Sequence, residues 1–160
     1  MRKEVKQILT TCRDLPTYTL KLHNKIKHTD RPEVLDIEDA KTFVRKCYDE
    51  GEINFVECCY VIALNASKKV MGVLQVSKGG VMGTVVDPRI IYTFALLAGA
   101  TSIIITHNHP SGSPKPSSYD ETLTKVLLIG AKALQINLID HIIITEDKAL
   151  SFNEEGLLTL

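Results

Sequence analysis

Several signatures are missing from this chain, and each absence removes a class of function. The four cysteines, Cys12, Cys47, Cys58 and Cys59, form no C-x-x-C pair, so a cysteine-based zinc knuckle is not expected. No G-x-S-x-G occurs, which argues against a serine hydrolase of the α/β type. No H-x-E with a later P-C-x-x-C occurs either, which argues against a zinc deaminase. No apolar run resembles a membrane span, and Met1–Lys6 lacks the apolar stretch and cleavage site of a signal peptide. The expectation is a cytoplasmic protein with no membrane partner, its cysteines buried as free thiols. Repeats and low-complexity tracts are absent as well.

Net charge is also lacking, with 19 Lys/Arg against 19 Asp/Glu. The balance is uneven along the chain. Residues 1–31 hold eight Lys/Arg against three Asp/Glu, among them Lys21, Lys25, Lys27 and Arg31. A nucleic-acid or acidic-partner surface is one reading of that stretch, and a solvated basic extension is the other. No DNA-reading motif accompanies it. The division expected is a basic extension over 1–32 and a domain over 33–160, with Tyr18, Leu20 and Leu22 alternating like a short strand.

What remains fits one globular domain. A chain of 160 residues with 44% hydrophobic and 24% charged residues can bury a proper core. Asp36 or Asp39 is placed to start a helix through Ala40, Phe43, Val44 and Cys47, ending near Gly51. Strands are expected at about 56–64 and 70–76 around the polar turn 65–69, with another near 81–86. Asp87-Pro88 reads as a helix start and Gly99 as its stop. The run Ile103–Ile105 reads as a buried strand. A helix over 118–134, with Leu123, Val126, Leu127 and Gly130 on one face, leads into a strand at 136–145. The turn 146–148 then returns 149–152 as a hairpin. The fold class expected is α/β, a mixed sheet with helices packed on its faces.

The chemistry concentrates in Thr106–Asp120, between the buried strand and its following helix. His107 and His109 sit at the strand's end, where residues i and i+2 share a side. Three prolines and a glycine follow, and no regular element survives them. Asp120 then lies in the first turn of the next helix, able to swing a carboxylate back as a third ligand. Such a set leaves a fourth position for water, whose pKa a zinc ion lowers to roughly 7. Ser117-x-x-Asp120 is equally a helix N-cap with an acidic residue at N3, a purely structural device. Asn108, between the histidines, is expected to face the other way.

The string H-x-H-x7-S-x-x-D resembles the signature of the JAMM (MPN+, JAB) metalloprotease family, which includes isopeptidases that remove ubiquitin-like modifiers. It is closer to the RadC branch, through His107–Gly112, Pro116-Ser117, Asp120, Asp87-Pro88-Arg89 and Leu138–Ile142. The resemblance runs from about Glu33 to the C-terminus. It departs from the branch at Ile90, where an acidic residue is expected, and the helix-hairpin-helix domain that precedes this domain in full-length relatives is not expected among these residues.

The resemblance implies a JAMM/MPN fold of cytidine-deaminase-like architecture. It implies Zn2+ on His107, His109 and Asp120, and hydrolysis of a peptide or isopeptide bond in an unidentified protein substrate. Glu57, at the entrance of the expected strand, is then the carboxylate that handles the water proton, with Glu50 and Glu52 as competitors in an apparent turn. Ser117 is the residue implied to stabilise the oxyanion, with helix capping as the alternative. Two other uses stay open. One is a DNA-repair-associated or DNA-binding role, as the branch name suggests, and the other is a non-catalytic MPN-type module. An extended peptide is expected to add to a sheet edge over Leu74–Gly80.

Overall fold

The computed structural model describes residues 26–80 and 83–160. The alternation at Tyr18–Leu22 and most of the basic extension lie outside them. In chain order the elements are α1 (Ile37–Arg45), β1 (Cys58–Leu64), β2 (Val70–Lys78), α2 (Pro88–Leu97), β3 (Ser102–Asn108), α3 (Ser118–Leu134), β4 (Asn137–Ile144) and β5 (Ala149–Ser151). The strands form one mixed sheet in the order β2-β1-β3-β4-β5. Among the described strands only β3 and β4 run parallel, joined through α3.

Alternation along the central strands splits the core in two. Val61, Ile103 and Ile105 face α2 and α3, where Ile91, Tyr92, Ala95, Leu123 and Leu127 cover them. Ile62, Leu64, Ile104, Ile142 and Ile144 face the opposite way, onto Val34, Ala40 and Val44 of the α1 side. β3 is buried on both faces, as its unbroken apolar run requires. Each fully buried isoleucine contributes about 1.5–3 kcal/mol through area removed from water.

Caps set the helix limits. Asp36 accepts from Asp39 N–H at 2.8 Å, and Asp39 accepts in turn from Leu35 N–H at 3.0 Å, so both candidate aspartates serve the start of α1. Asp87 caps α2, with Pro88 at its first position. Gly99 follows α2 with φ of 63°, a conformation that strains any residue with a Cβ. α2 and α3 approach closely because Gly130 has no side chain: a Cβ there would lie 2.5 Å from the Tyr92 ring. The Tyr92 hydroxyl donates to the Leu127 carbonyl in the same contact.

Four expectations need correction. α1 ends at Arg45, not near Gly51. The Arg45 guanidinium is held by the carbonyls of Thr145, Glu146 and Lys148, and the chain turns so that the Tyr48 hydroxyl reaches Thr106 Oγ1 at 3.0 Å. β1 begins at Cys58 because Val56 still closes a turn onto the Glu52 carbonyl. In the expected strand at 81–86, the described residues Thr84–Val86 are not in a strand. Gly80 and Gly83 form an antiparallel bridge, and Val86 N–H donates to the Tyr119 hydroxyl instead. On α3, Val126 is 45% exposed, while Asp120, Leu123, Thr124, Leu127 and Ala131 make the buried stripe. That stripe follows from turning Asp120 inward. Among the described residues, no helix is long and apolar enough to cross a membrane.

Candidate metal centre

The site forms at the carboxyl end of β3, beside the amino end of α3. In open α/β sheets the crevice outside strand carboxyl ends is where ligands bind. His107 follows Ile103 and Ile105 on the face covered by α2 and α3, and His109 lies just past the strand end. Ser117 caps α3 and places Asp120 in its first turn. His107 Nε2 and His109 Nε2 lie 2.9 Å apart. Asp120 Oδ1 is 3.2 Å from His107 Nε2, and Asp120 Oδ2 is 3.6 Å from His109 Nε2. The ligand atoms of all three side chains fall within 4.8 Å of one another. His107 and Asp120 are buried.

This donor set fits a divalent cation. His109 Nδ1 is 2.8 Å from the Ser113 carbonyl, which can only accept, so Nδ1 carries the proton and Nε2 offers a lone pair to the site. That lone pair and the Asp120 carboxylate crowd one small volume, and such an arrangement needs positive charge among its atoms. Without a metal, protons supply it. Burial raises the Asp120 carboxyl, but the His107 and His109 imidazoles and the Ser117 hydroxyl outweigh burial and hold it well below the carboxylate range. Burial lowers His109, yet Asp120 and the Ser113 carbonyl outweigh it and raise the ring above its ordinary value. Two imidazole nitrogens and one carboxylate oxygen match a zinc site with one position open. A hard cation such as calcium or magnesium prefers more oxygen ligands.

Residues 34–157 match the family described as RadC-like JAB domain. The chain belongs to that family. A UPF0758 protein of Flavobacterium johnsoniae is 45% identical over 125 residues, covering 78% of this chain and 53% of that protein. One of Clostridium acetobutylicum is 46% identical over 102 residues, covering 64% and 44%. One of Clostridium perfringens is 34% identical over 158 residues, covering 98% and 66%. The chain thus spans about half the length of several curated relatives that it matches, such as the 53% and 44% of the first two.

The remaining site candidates of this RadC-like domain surround a cleft of about 780 Å³, whose lining includes Glu57, Thr84, Val85, His109, Pro116, Ser117, Tyr119 and Asp120. Glu57 precedes β1 by one residue and shares the face of Cys59, which pairs with His107. Its backbone is fixed on both sides, donating to the Gly80 carbonyl and accepting from Gly79 N–H. Burial pushes the Glu57 carboxyl up, and the histidines and the Thr84 N–H partly oppose the shift. The two competitors lie elsewhere. Glu52 pairs with Lys78 at 2.7 Å, and Glu50 lines a separate cavity against α1. Ser117 Oγ accepts from Asp120 N–H at 3.2 Å and donates to Asp120 Oδ2 at 2.7 Å, a complete capping box. The hydroxyl proton therefore points at Asp120, and a role toward substrate requires it to turn.

Two more residues matter, and sequence reasoning gave neither a role. Asn108 does face away from its flanking histidines, as expected. There its Oδ1 accepts from Cys58 N–H at 2.8 Å, and its Nδ2 donates to the Ile53 and Val56 carbonyls at 2.7 and 2.9 Å. One buried amide thus fastens both sides of Glu57 to the strand that carries the histidines. His141 is fully buried and places Nε2 2.9 Å from His107 Nδ1. Burial holds its pKa well below the ordinary histidine value, reinforced by His107. The string Asp140-His141 was visible within the resemblance, but its inward aim was not. β4 shifts register between the pairs Ile103–Leu138 and Ile104–Asp140. Strict alternation from Leu138 would turn His141 to the α1 face, and the one-residue bulge returns it to the face of His107.

Proposed function

We propose that this domain is a zinc-dependent hydrolase of the metallopeptidase type, cleaving a peptide or isopeptide bond. The observation that carries the reading is the convergence of His107, His109 and Asp120 at a cleft that His109, Asp120 and Glu57 line. Zinc at that position supplies a Lewis acid that acidifies water and polarises a carbonyl oxygen. The side chains do the rest. Glu57 accepts the proton that the attacking water loses as its oxygen bonds to the carbonyl carbon. It then delivers that proton to the departing amine nitrogen as the carbon–nitrogen bond breaks. Its raised pKa suits a group that must both take and give a proton. Ser117 donates to the carbonyl oxygen as negative charge builds there, once its hydroxyl turns from Asp120.

An extended peptide suits the approach to this site. β2 is an outer strand of the sheet, and its far end is covered by the incoming chain. Val34 N–H donates to the Lys68 carbonyl, Val70 N–H donates to the Pro32 carbonyl, and Arg31 Nη1 reaches the Val70 and Met71 carbonyls. From Gly72 to Lys78 no described strand lies against the outer edge, and this stretch leads to Gly79-Gly80 beside Glu57. A substrate strand added there gains backbone hydrogen bonds and is guided toward the cleft.

The deciding experiment combines metal analysis with one substitution. Purified protein is expected to hold about one zinc per chain. Glu57→Gln is expected to keep that zinc while losing at least about 10²-fold in peptide hydrolysis. Full zinc in a His107→Ala, His109→Ala double variant, or full activity in Glu57→Gln, overturns the assignment. Titration of labelled extended peptide and labelled duplex DNA at two salt concentrations tests the partner. Tight, salt-sensitive duplex binding with no peptide binding or cleavage replaces this reading with a DNA-directed one.

A further inference from the structure

Behind the candidate ligands runs a closed chain of buried hydrogen bonds that none of the proposed chemistry uses. The Thr124 hydroxyl lies 2.7 Å from the Asp120 carbonyl oxygen and 2.7 Å from His141 Nδ1. His141 Nε2 lies 2.9 Å from His107 Nδ1. Thr124 and His141 have no exposed surface, and His141 stacks on Phe152 with ring centroids 4.6 Å apart.

The donors in this chain can be assigned from its fixed end. A carbonyl oxygen only accepts, so the single Thr124 proton goes to Asp120. His141 Nδ1 must then donate to Thr124 Oγ1. In a neutral ring this leaves His141 Nε2 as an acceptor, and His107 Nδ1 must donate to it. His107 Nε2 is thereby left with its lone pair aimed at His109 and Asp120. The chain begins at the backbone of one candidate ligand and ends on the ring of another. It ties α3 to β3 through β4, which the bulge in β4 makes possible.

We infer that Thr124 and His141 are positioning residues that fix the Nδ1-protonated tautomer of His107 and hold its Nε2 in register with Asp120 for a metal ion. The inference rests on the metal centre of the reading above but not on hydrolysis. Ligating histidines commonly donate their second nitrogen to an outer partner, and losing that partner weakens metal binding by about 10–100-fold. A neutral imidazole is an unusual choice of acceptor compared with a carboxylate. It orients the ring without adding negative charge to the buried centre.

The test measures zinc affinity by competition with a chromophoric chelator, using the intact chain. Thr124→Val keeps the side-chain shape and removes the hydroxyl. His141→Phe keeps a ring against Phe152 and removes both nitrogens. Each is expected to weaken zinc binding by about 10–100-fold, while Thr124→Ser stays close to the parent. Nitrogen-15 NMR of the imidazoles supplies a readout that simple packing would not move. The metal-free parent should carry the His107 proton on Nδ1, and Thr124→Val should populate the other tautomer. A folded Thr124→Val protein with parental affinity, or a parent His107 protonated only on Nε2, overturns the inference. A parent that binds no zinc overturns it together with the proposed function. A parent that binds zinc through this chain without cleaving peptides overturns only the hydrolase reading.

Discussion

Replacing Asn108 with alanine tests the clamp that fastens Glu57 beside the candidate metal centre. The substitution removes partners at 2.7, 2.8 and 2.9 Å from the Ile53 carbonyl, Cys58 N–H and Val56 carbonyl. Asn108 is fully buried, so these backbone groups lose their bonds in a place that water reaches poorly. At about 1 kcal/mol for each hydrogen bond, and more where a group stays unsatisfied, the loss is about 3–5 kcal/mol. Asn108→Asp separates the roles of the two amide ends. Its oxygen still accepts from Cys58 N–H, but its second oxygen faces two carbonyls. That repulsion favours the protonated carboxyl, so its pKa rises in the folded state. Stability is then retained at low pH and lost as pH rises through that raised value. Urea unfolding of the parent and both variants, at acid and neutral pH, measures these quantities. Zinc content should survive, because no candidate ligand is touched. An Asn108→Ala protein within about 0.5 kcal/mol of the parent refutes the clamp, since that is the scale of an ordinary surface change.

Other consequences follow from the same packing. Gly130→Ala should cost about 1–3 kcal/mol, because the new Cβ would meet the Tyr92 ring at 2.5 Å; a melting temperature equal to the parent's would show that α2 and α3 separate freely. Zinc retention, followed by chelator exchange across pH, should fall as the solution is acidified, because protons compete with the metal for the imidazole nitrogens. Retention that is flat down to pH 5 would mean that the histidines are not ligands. In a hydrolysis assay the acid limb assigned to Glu57 should lie above its ordinary value of 4.5, because burial raises that carboxyl. The active form is the carboxylate, so the rate is lost as pH falls, and an unchanged limb in Glu57→Gln would assign it elsewhere.

The sequence by itself marked most of the elements and the candidate ligands. Local rules were enough where they act within a few residues. Asp87-Pro88 starts α2, Gly99 follows its end, and the Ile103–Ile105 run makes a strand buried on both faces. His107 and His109 share a side because of the two-residue strand period, and Ser117 delivers Asp120 through a capping box. Tertiary structure decided what depends on register. Glu57 could be preferred over Glu52 and Glu50 only by resemblance, until pairing of β1 with β3 put it on the histidine face and Lys78 occupied Glu52. The aim of His141 depends on one extra residue in β4, and a single bulge inverts every later side chain without leaving a mark in composition or periodicity. Asn108 gave no signal of a clamp, because its three partners are backbone atoms at least 50 residues away, and backbone atoms look the same at every position in a sequence.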